Sequence, residues 1–155
     1  MKNGQRIDVD VTAQSAAAPA EVFAVLHDGA GWPAWSSFTG YELVQRGVDG
    51  DPNGVGAVRI FKTQVTASCE EIVELIPNRR LSYILRSGLP MANYRADVDV
   101  EAKPDGGTTV RWHSTFDPKV RGTGWFWRMF MKAVLSKLVT QLVAEAERRV
   151  KTSSL

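Results

Sequence analysis

Few side chains in this sequence have the types and spacing that acid–base or metal chemistry requires. Asp97, Asp99 and Glu101 are carboxylates of the kind that bind divalent cations, and His113 is the only histidine in a predicted strand. All four alternate with apolar residues, which places them on the outer face of a half-buried sheet. The pattern therefore favours a solvated strand face, and it predicts that His113 is dispensable.

Glu71 differs, because it shares the phase of the apolar residues in its own predicted strand, residues 64–76. In that phase it is either a lone carboxylate pointing into the interior or a residue turned outward by a β-bulge, and we favour the bulge. Cys69 has the same phase and is predicted to be a small buried residue. The two histidines and the one cysteine have no metal-ligand spacing, and no catalytic triad or glycine-rich phosphate loop occurs. We predict no metal and no cofactor, and we assign no catalytic residue.

Composition narrows the class of protein further. A chain of 155 residues is predicted to form a single domain, residues 1–155, with residues 1–6 frayed. A net charge of +2 does not indicate a nucleic-acid partner. No run of about 18 apolar residues predicts an integral membrane segment, and no signal peptide is recognisable. We therefore expect a cytoplasmic protein.

The elements that position these residues follow a simple α+β order. A strand begins at Ile7, a helix begins at Pro19, and a short second helix contains Trp35. Six further strands are predicted at residues 41–46, 55–63, 64–76, 81–87, 94–103 and 108–116. A long helix then covers residues 123–150. Short turns between consecutive strands predict a curved antiparallel sheet with one covered face, and the long helix is the element that covers it.

The residues predicted to face that helix are mostly aromatic. From the sheet they are Tyr83, Tyr94, Val98, Trp112, Ser114 and Phe116. Met131 and Leu135 face them from the helix, and Met91 and Trp35 are predicted at the rim. Such a set is either a filled core or the lining of an apolar pocket with a few polar groups.

The apolar face of the long helix turns by about half a revolution near Val134, at about 100° per residue. Projected backwards, its stripe meets Arg128 and Lys132. The apolar residues of the first half lie on the opposite side: Phe126, Met129 and Phe130. One explanation is a kink or a late helix start with an irregular lid. The other is an exposed patch at a cavity entrance, serving homodimer or membrane-surface contact, with Arg128 placed to meet a carboxylate-bearing ligand.

Several segments together are similar to a known family. They are PAEVFAVLHD, WPAWSS, GVGAVRIF, ELIPNRRLSYILRSGLP and the hairpin that ends in GGTTVRWHSTFDP. From about Ile7 to Val150 the chain resembles the START-like (helix-grip) superfamily, and within it the bacterial polyketide cyclase/dehydrase and lipid-transport proteins (SRPBCC). This resemblance implies a seven-stranded antiparallel sheet around the C-terminal helix, with a cavity for an apolar ligand between them. One fold hosts many functions, so the activity stays open.

Three function classes follow from the sequence and the resemblance. The first is binding of an apolar small molecule, such as a lipid or a polyketide-like compound. The second is a cyclase, aromatase or dehydratase that uses the same cavity, with a Tyr or Arg assisting proton transfer. The third uses the fold only as a scaffold for a partner. We favour binding, because no acid–base pair converges on the inward face. The predicted ligand-binding residues are Trp35, Tyr83, Met91, Tyr94, Val98, Trp112, Ser114, Phe116, Arg128, Met131 and Leu135.

Overall fold

The computed structural model describes residues 6–153, which form seven strands and three α-helices. The strands are β1 (Ile7–Ser15), β2 (Gly40–Gln45), β3 (Val58–Lys62), β4 (Ala67–Ile76), β5 (Arg80–Ser87), β6 (Met91–Ala102) and β7 (Thr108–Pro118). The helices are α1 (Pro19–His27), α2 (Trp32–Trp35) and α3 (Gly124–Ser153). Residues 1–5, predicted to be frayed, lie outside the described residues. Arg6 donates a hydrogen bond to Thr115 Oγ1 at 2.9 Å.

The seven strands form one antiparallel sheet in the order β1-β7-β6-β5-β4-β3-β2. Helix α3 packs on β1 and β7 and against α1. The buried residues of α3 recur at helical spacing, as an amphipathic helix requires: Met131, Leu135, Leu138, Val139, Leu142, Val143 and Ala146. The predicted curved sheet around a long C-terminal helix, with two short helices after the first strand, is confirmed.

Strands β6 and β7 have the alternation that the sequence predicts. Their inward residues are buried: Tyr94, Ala96, Val98, Val100, Val110, Trp112, Ser114 and Phe116. Asp97 and Asp99 lie on the other face, where Arg95 Nη2 approaches Asp97 Oδ1 to 3.0 Å and Arg80 Nε approaches Asp99 Oδ1 to 2.6 Å. The outward placement of these two carboxylates is confirmed, and their partners are arginines.

Strand β4 corrects the predicted phase of its residues. Its register against β5 shifts at Cys69/Glu70, where the extra residue belongs to β5, and again at Ile72/Glu74, where the extra residue is Val73 of β4. Glu71 faces outward in regular alternation with the buried Glu70 and Ile72, and its Oε1 lies 2.6 Å from Arg86 Nη2. The predicted outward placement of Glu71 is confirmed, but the β-bulge of β4 follows it at Val73 and is not its cause. The prediction of a buried Cys69 is wrong, because it shares the outward phase and is half-buried. The inward residues are instead Ser68, Glu70 and Ile72.

Two strands begin later than the sequence predicts because tight turns precede them. Strand β3 begins at Val58 and not at residue 55, after Gly56 adopts a φ of 90° that favours glycine. Strand β4 begins at Ala67 and not at residue 64. Thr63 and Thr66 close a turn in which the Thr66 backbone N–H donates to Thr63 Oγ1 at 3.0 Å.

The first half of α3 is regular helix with an exposed apolar face. The helix runs from Gly124 to Ser153 as one element, so of the two explanations left open by the sequence, the kink or late helix start is wrong. Trp125 is 67% exposed and Met129 is 65% exposed. With Phe126 and Phe130 they form what we call the apolar patch. Within residues 6–153, no helix combines the length and the apolar character needed to cross a membrane.

Candidate functional site

A cavity of about 290 Å³ lies between the sheet and α3. Strands β4, β5 and β6 supply one wall through inward residues: Ser68, Glu70, Tyr83, Leu85 and Tyr94. Helix α3 supplies the opposite wall: Phe130, Met131, Val134, Leu135 and Leu138. Trp32 and Phe38 complete it from the segment around α2. The lining is therefore aromatic and aliphatic, as is typical of sites for apolar small molecules.

The cavity reaches the surface between two loops and the first half of α3. The β3–β4 turn contributes Thr63, Val65 and Thr66, and the β5–β6 turn contributes Leu89. Val65 is 90% exposed, and Phe130 and Val134 are also exposed. Because Phe130 belongs to both, the apolar patch is continuous with the cavity mouth.

The structure brings four of the predicted ligand-binding residues together at this cavity. They are Tyr83, Tyr94, Met131 and Leu135. Four others are fully buried in the core and do not line it: Val98, Trp112, Ser114 and Phe116. Met91 is buried at the start of β6, Trp35 is half-buried, and Arg128 is exposed on α3; none of these three lines it. Ligand contact remains a prediction for all of them.

Trp32 anchors the wall on the α2 side, although the sequence indicated it only as part of a turn. It is fully buried, and its indole Nε1 donates to the Leu26 carbonyl at 2.9 Å. Its ring centroid lies 4.7 Å from that of Phe61 and 5.8 Å from that of Trp112. These contacts fix the orientation of the indole, so this wall of the cavity is preformed.

Sequence analysis missed a buried pair of charged side chains next to the cavity. Arg59 on β3 and Glu70 on β4 are cross-strand partners, and both point inward. Arg59 Nη2 lies 3.8 Å from Glu70 Oε1, so the two form a charge pair at a distance beyond hydrogen-bonding range. The pattern contained a weak indication, because Arg59 shares the phase of Phe61, and Glu70 shares the phase of Ile72.

Cation–π contacts with two aromatic rings stabilise the buried charge of Arg59 in place of hydrogen bonds. The Arg59 guanidinium carbon lies 5.3 Å from the Trp32 ring centroid and 5.0 Å from the Phe61 ring centroid. A Cβ at Gly29 would approach Arg59 Nη1 to 2.6 Å, so the guanidinium needs glycine at that position. None of the three guanidinium nitrogens has a hydrogen-bond partner in residues 6–153.

Burial shifts the protonation equilibria of the groups at this wall. The pKa of the Glu70 carboxyl rises from its ordinary 4.5 to about 7, because burial disfavours the charged form and the Arg59 charge offsets this only in part. Burial also lowers the pKa of Arg59. The pKa values of Tyr83 and Tyr94 are raised, chiefly by burial and further by the Glu70 charge. Glu70 therefore changes charge near neutral pH, while both tyrosines stay neutral.

His113 lies on the outer face of β7, where its Nε2 is 3.5 Å from Asp8 Oδ1. In the described part of the chain, no group of three or more His, Cys, Asp or Glu side chains is arranged to hold a metal ion. We expect His113→Ala to change the free energy of unfolding by less than about 0.5 kcal/mol, since isolated exposed pairs contribute little. Thermal unfolding and probe titration of the variant check this. A folded variant that no longer binds ligand would contradict the outward placement.

Comparison with known proteins agrees with this architecture. The family model described as polyketide cyclase / dehydrase and lipid transport matches residues 6–151. No curated protein gives a significant match. A START superfamily protein from Mycobacterium smegmatis has 14% sequence identity and a TM-score of 0.78, with 91% of this chain and 97% of that chain covered. The Zhui aromatase/cyclase from a Streptomyces species has 18% identity and a TM-score of 0.72, covering 94% and 96%. XoxI from Bacillus cereus has 17% identity and a TM-score of 0.73, covering 89% and 94%. At these identities the neighbours show the fold alone.

Proposed function

Because the chain belongs to the polyketide cyclase / dehydrase and lipid transport family, we propose that it binds an apolar small molecule, lipid or polyketide-like, between the sheet and α3. The observation that carries this proposal is the cavity of about 290 Å³, whose lining is largely aromatic and aliphatic. Its size is near the lower end of the range of roughly 300–1,000 Å³ that is usual for small-molecule sites. We propose that the chain works as a single START-like domain in the cytoplasm, where its one cysteine stays reduced.

The construction of the walls supports binding without a large rearrangement. Trp32 is fixed by its hydrogen bond to the Leu26 carbonyl, and Leu135 is held in the buried stripe of α3. An apolar ligand in this space removes further apolar surface from water, which is the main driving force for such binding. We expect any movement on binding to be confined to the mouth, because the side chains of Val65 and Phe130 are exposed and can move aside at little cost in packing.

Titration with a neutral apolar dye such as Nile red tests this proposal. We expect saturable binding of one dye per chain and quenching of tryptophan emission, because Trp32 lines the cavity and lies near Trp112. Tryptophan emission and dye emission should give the same dissociation constant. A dye signal that rises without saturation would contradict the proposal, because it would indicate adsorption to exposed apolar surface.

An enzyme of the cyclase, aromatase or dehydratase type is the second candidate. The observation in its favour is Glu70, a carboxyl at the cavity wall whose pKa of about 7 suits general acid–base catalysis at neutral pH. Incubation with a poly-β-ketone thioester, followed by mass spectrometry, distinguishes the two candidates. Loss of water or ring formation that disappears in Glu70→Gln would favour the enzyme. Recovery of the unchanged thioester would favour the carrier.

We further propose that the ligand is exchanged at an anionic membrane surface through the apolar patch. Residues 118–144 contain no acidic side chain and five basic ones, all exposed: Lys119, Arg121, Arg128, Lys132 and Lys137. Exposed aromatic residues flanked by cations are typical of helices that lie on anionic lipid. A homodimer through the same patch is less favourable, because two-fold symmetry would bring these cations together.

Flotation with lipid vesicles tests the membrane contact. We expect the protein to float with vesicles of phosphatidylcholine and phosphatidylserine, and less with phosphatidylcholine alone. Trp125→Ser with Met129→Ser should reduce flotation by about tenfold, since two exposed apolar anchors are removed. The matched control is Val44→Ser with Val48→Ser, because these valines are also exposed but lie outside the patch. Equal flotation of both variants, or dimer formation that only the patch variant abolishes, would overturn the membrane contact.

A further inference from the structure

The Glu70 carboxyl carries hydrogen-bonding capacity that the protein leaves unused at the cavity wall. The residue is only 6% exposed and lines the cavity. No group in residues 6–153 donates a hydrogen bond to this carboxyl, and its Oε1 is enclosed on the side of Arg59. Buried polar groups in folded proteins nearly always have such a partner, so the cavity side of this carboxyl indicates a group that arrives with the ligand.

The neighbouring side chains do not satisfy this carboxyl. Arg59 Nη2 is 3.8 Å from Glu70 Oε1, which is an ion pair without a hydrogen bond. The Tyr83 hydroxyl accepts a hydrogen bond from Trp112 Nε1 at 3.2 Å, and its own O–H makes no hydrogen bond to Glu70 Oε1. The donor that completes Glu70 is therefore expected from within the cavity.

The charges at the wall restrict what this donor can be. Arg59 and Glu70 already compensate each other inside an apolar environment. Above about pH 7, where the Glu70 carboxyl is ionised, a ligand carboxylate would meet it with like charge. A ligand cation would add a second positive charge beside Arg59, and both arrangements are unfavourable when buried. A hydroxyl donates a hydrogen bond without adding charge. The sequence predicted that Arg128 would meet a ligand carboxylate at the cavity entrance. In the structure Arg128 is exposed on α3 and does not line the cavity, so it does not offset the like charge beside Glu70.

We propose that Glu70 is a hydroxyl-binding residue, and that the cavity selects uncharged apolar ligands that carry a hydroxyl group at the end next to this carboxyl. This inference rests on the proposed binding function and specifies its ligand class. The ligand hydroxyl donates to the Glu70 carboxyl from the cavity side, while Tyr83, Tyr94 and the residues of α3 contact its apolar body.

Competition against Nile red at about pH 8, where the Glu70 carboxyl is ionised, tests this selectivity with three matched probes. The probes are the β isomers of naphthol, methylnaphthalene and naphthoate, which share one ring system and differ only in the attached group. We expect naphthol to bind about tenfold more tightly than methylnaphthalene, as one hydrogen bond to a carboxylate predicts, and naphthoate to bind most weakly. Equal binding of the two neutral probes, or tightest binding of naphthoate, overturns the hydroxyl site while leaving the apolar cavity in place. Binding of no probe and no dye overturns both proposals.

Two double variants test whether the preference for naphthol depends on Glu70. Glu70→Leu with Arg59→Met removes the buried pair together, so no unpaired charge is left inside. We expect this variant to retain methylnaphthalene and to lose the preference for naphthol. The matched control is Glu71→Leu with Arg86→Met, which removes the pair between β4 and β5 on the outer face of the sheet. The preference should persist in the control, and its persistence in the Glu70 variant would overturn the proposal. Should the Glu70 variant fail to fold, the selectivity of the unmodified protein among the three probes decides.

Discussion

In a Ser68→Phe variant, the affinity for Nile red is expected to fall by at least about 100-fold while the protein stays folded. Ser68 is a small buried residue of β4 that lines the cavity. A phenylalanine ring at this position occupies space that a ligand would take, and the cavity is large enough to receive the ring without moving the core. We expect the free energy of unfolding to change by less than about 1.5 kcal/mol. Dye titration and denaturant unfolding of the same preparation measure both quantities.

The neighbouring residue supplies the control for this experiment. Ala67 is exposed and does not line the cavity. Ala67→Phe adds a comparable ring to the adjacent position of the strand and should leave dye affinity within about twofold. If the two variants bound the dye equally, the dye site would lie elsewhere on the protein.

The second large effect concerns pH and Glu70. With a pKa raised from 4.5 to about 7, the carboxyl binds a proton more tightly in the folded chain than in the unfolded chain. The stability that this protonation contributes is present below about pH 4.5 and is lost as the pH rises through about 7. We therefore expect the free energy of unfolding to fall, relative to that of Glu70→Gln, by on the order of 3 kcal/mol across this interval.

Denaturant unfolding at several pH values measures this difference directly. Glutamine keeps the size of the side chain and does not titrate, so the difference between the two proteins isolates the carboxyl. Glu71→Gln is the matched control, because Glu71 is outward and paired with Arg86. A constant difference between Glu70→Gln and the unmodified protein from pH 4.5 to 8 would mean that the Glu70 pKa is ordinary.

The sequence predicted the architecture because the informative elements are long and regular. Strand β6 alternates through four buried positions from Tyr94 to Val100, and α3 has a stripe that extends from Met131 to Ala146. Each pattern arises because one face of the element is buried against a single partner surface, and each is unbroken between the residues named. Two of the four correctly placed cavity residues, Tyr83 and Tyr94, came from such alternation on neighbouring strands.

The charged pair at the site was not predictable by the same logic. A β-bulge shifts every following side chain to the other face, and β4 has its extra residue at Val73. After the bulge Leu75 packs against the core, whereas before it Glu70 and Ile72 are the inward residues. The phase of Leu75, extended backwards along β4, therefore pointed to Glu71 when the inward carboxylate is its neighbour Glu70. Arg59 was missed because a lone arginine in a strand is normally solvated. Its burial depends on Trp32 and Phe61, which come from distant parts of the chain.

The first half of α3 shows how sequence analysis can find a feature and leave its cause open. The turn of the apolar face near Val134 was detected, and a kink and an exposed patch were both consistent with it. The structure decides for the exposed patch, because the helix is continuous and Trp125 and Met129 face solvent. Its fully buried stripe begins only at Met131, and before it Trp127 alone of the aromatic residues is partly buried against the core.

The central claim is that an apolar ligand occupies the cavity between the sheet and α3, and nuclear Overhauser contacts between a bound ligand and the protein test it most directly. With β-naphthol bound, we predict contacts to the methyl groups of Met131, Leu135 and Leu138, which line the cavity. Contacts confined to Trp125 and Met129 on the outer surface of α3, with none to these three methyl-bearing residues, would contradict the claim.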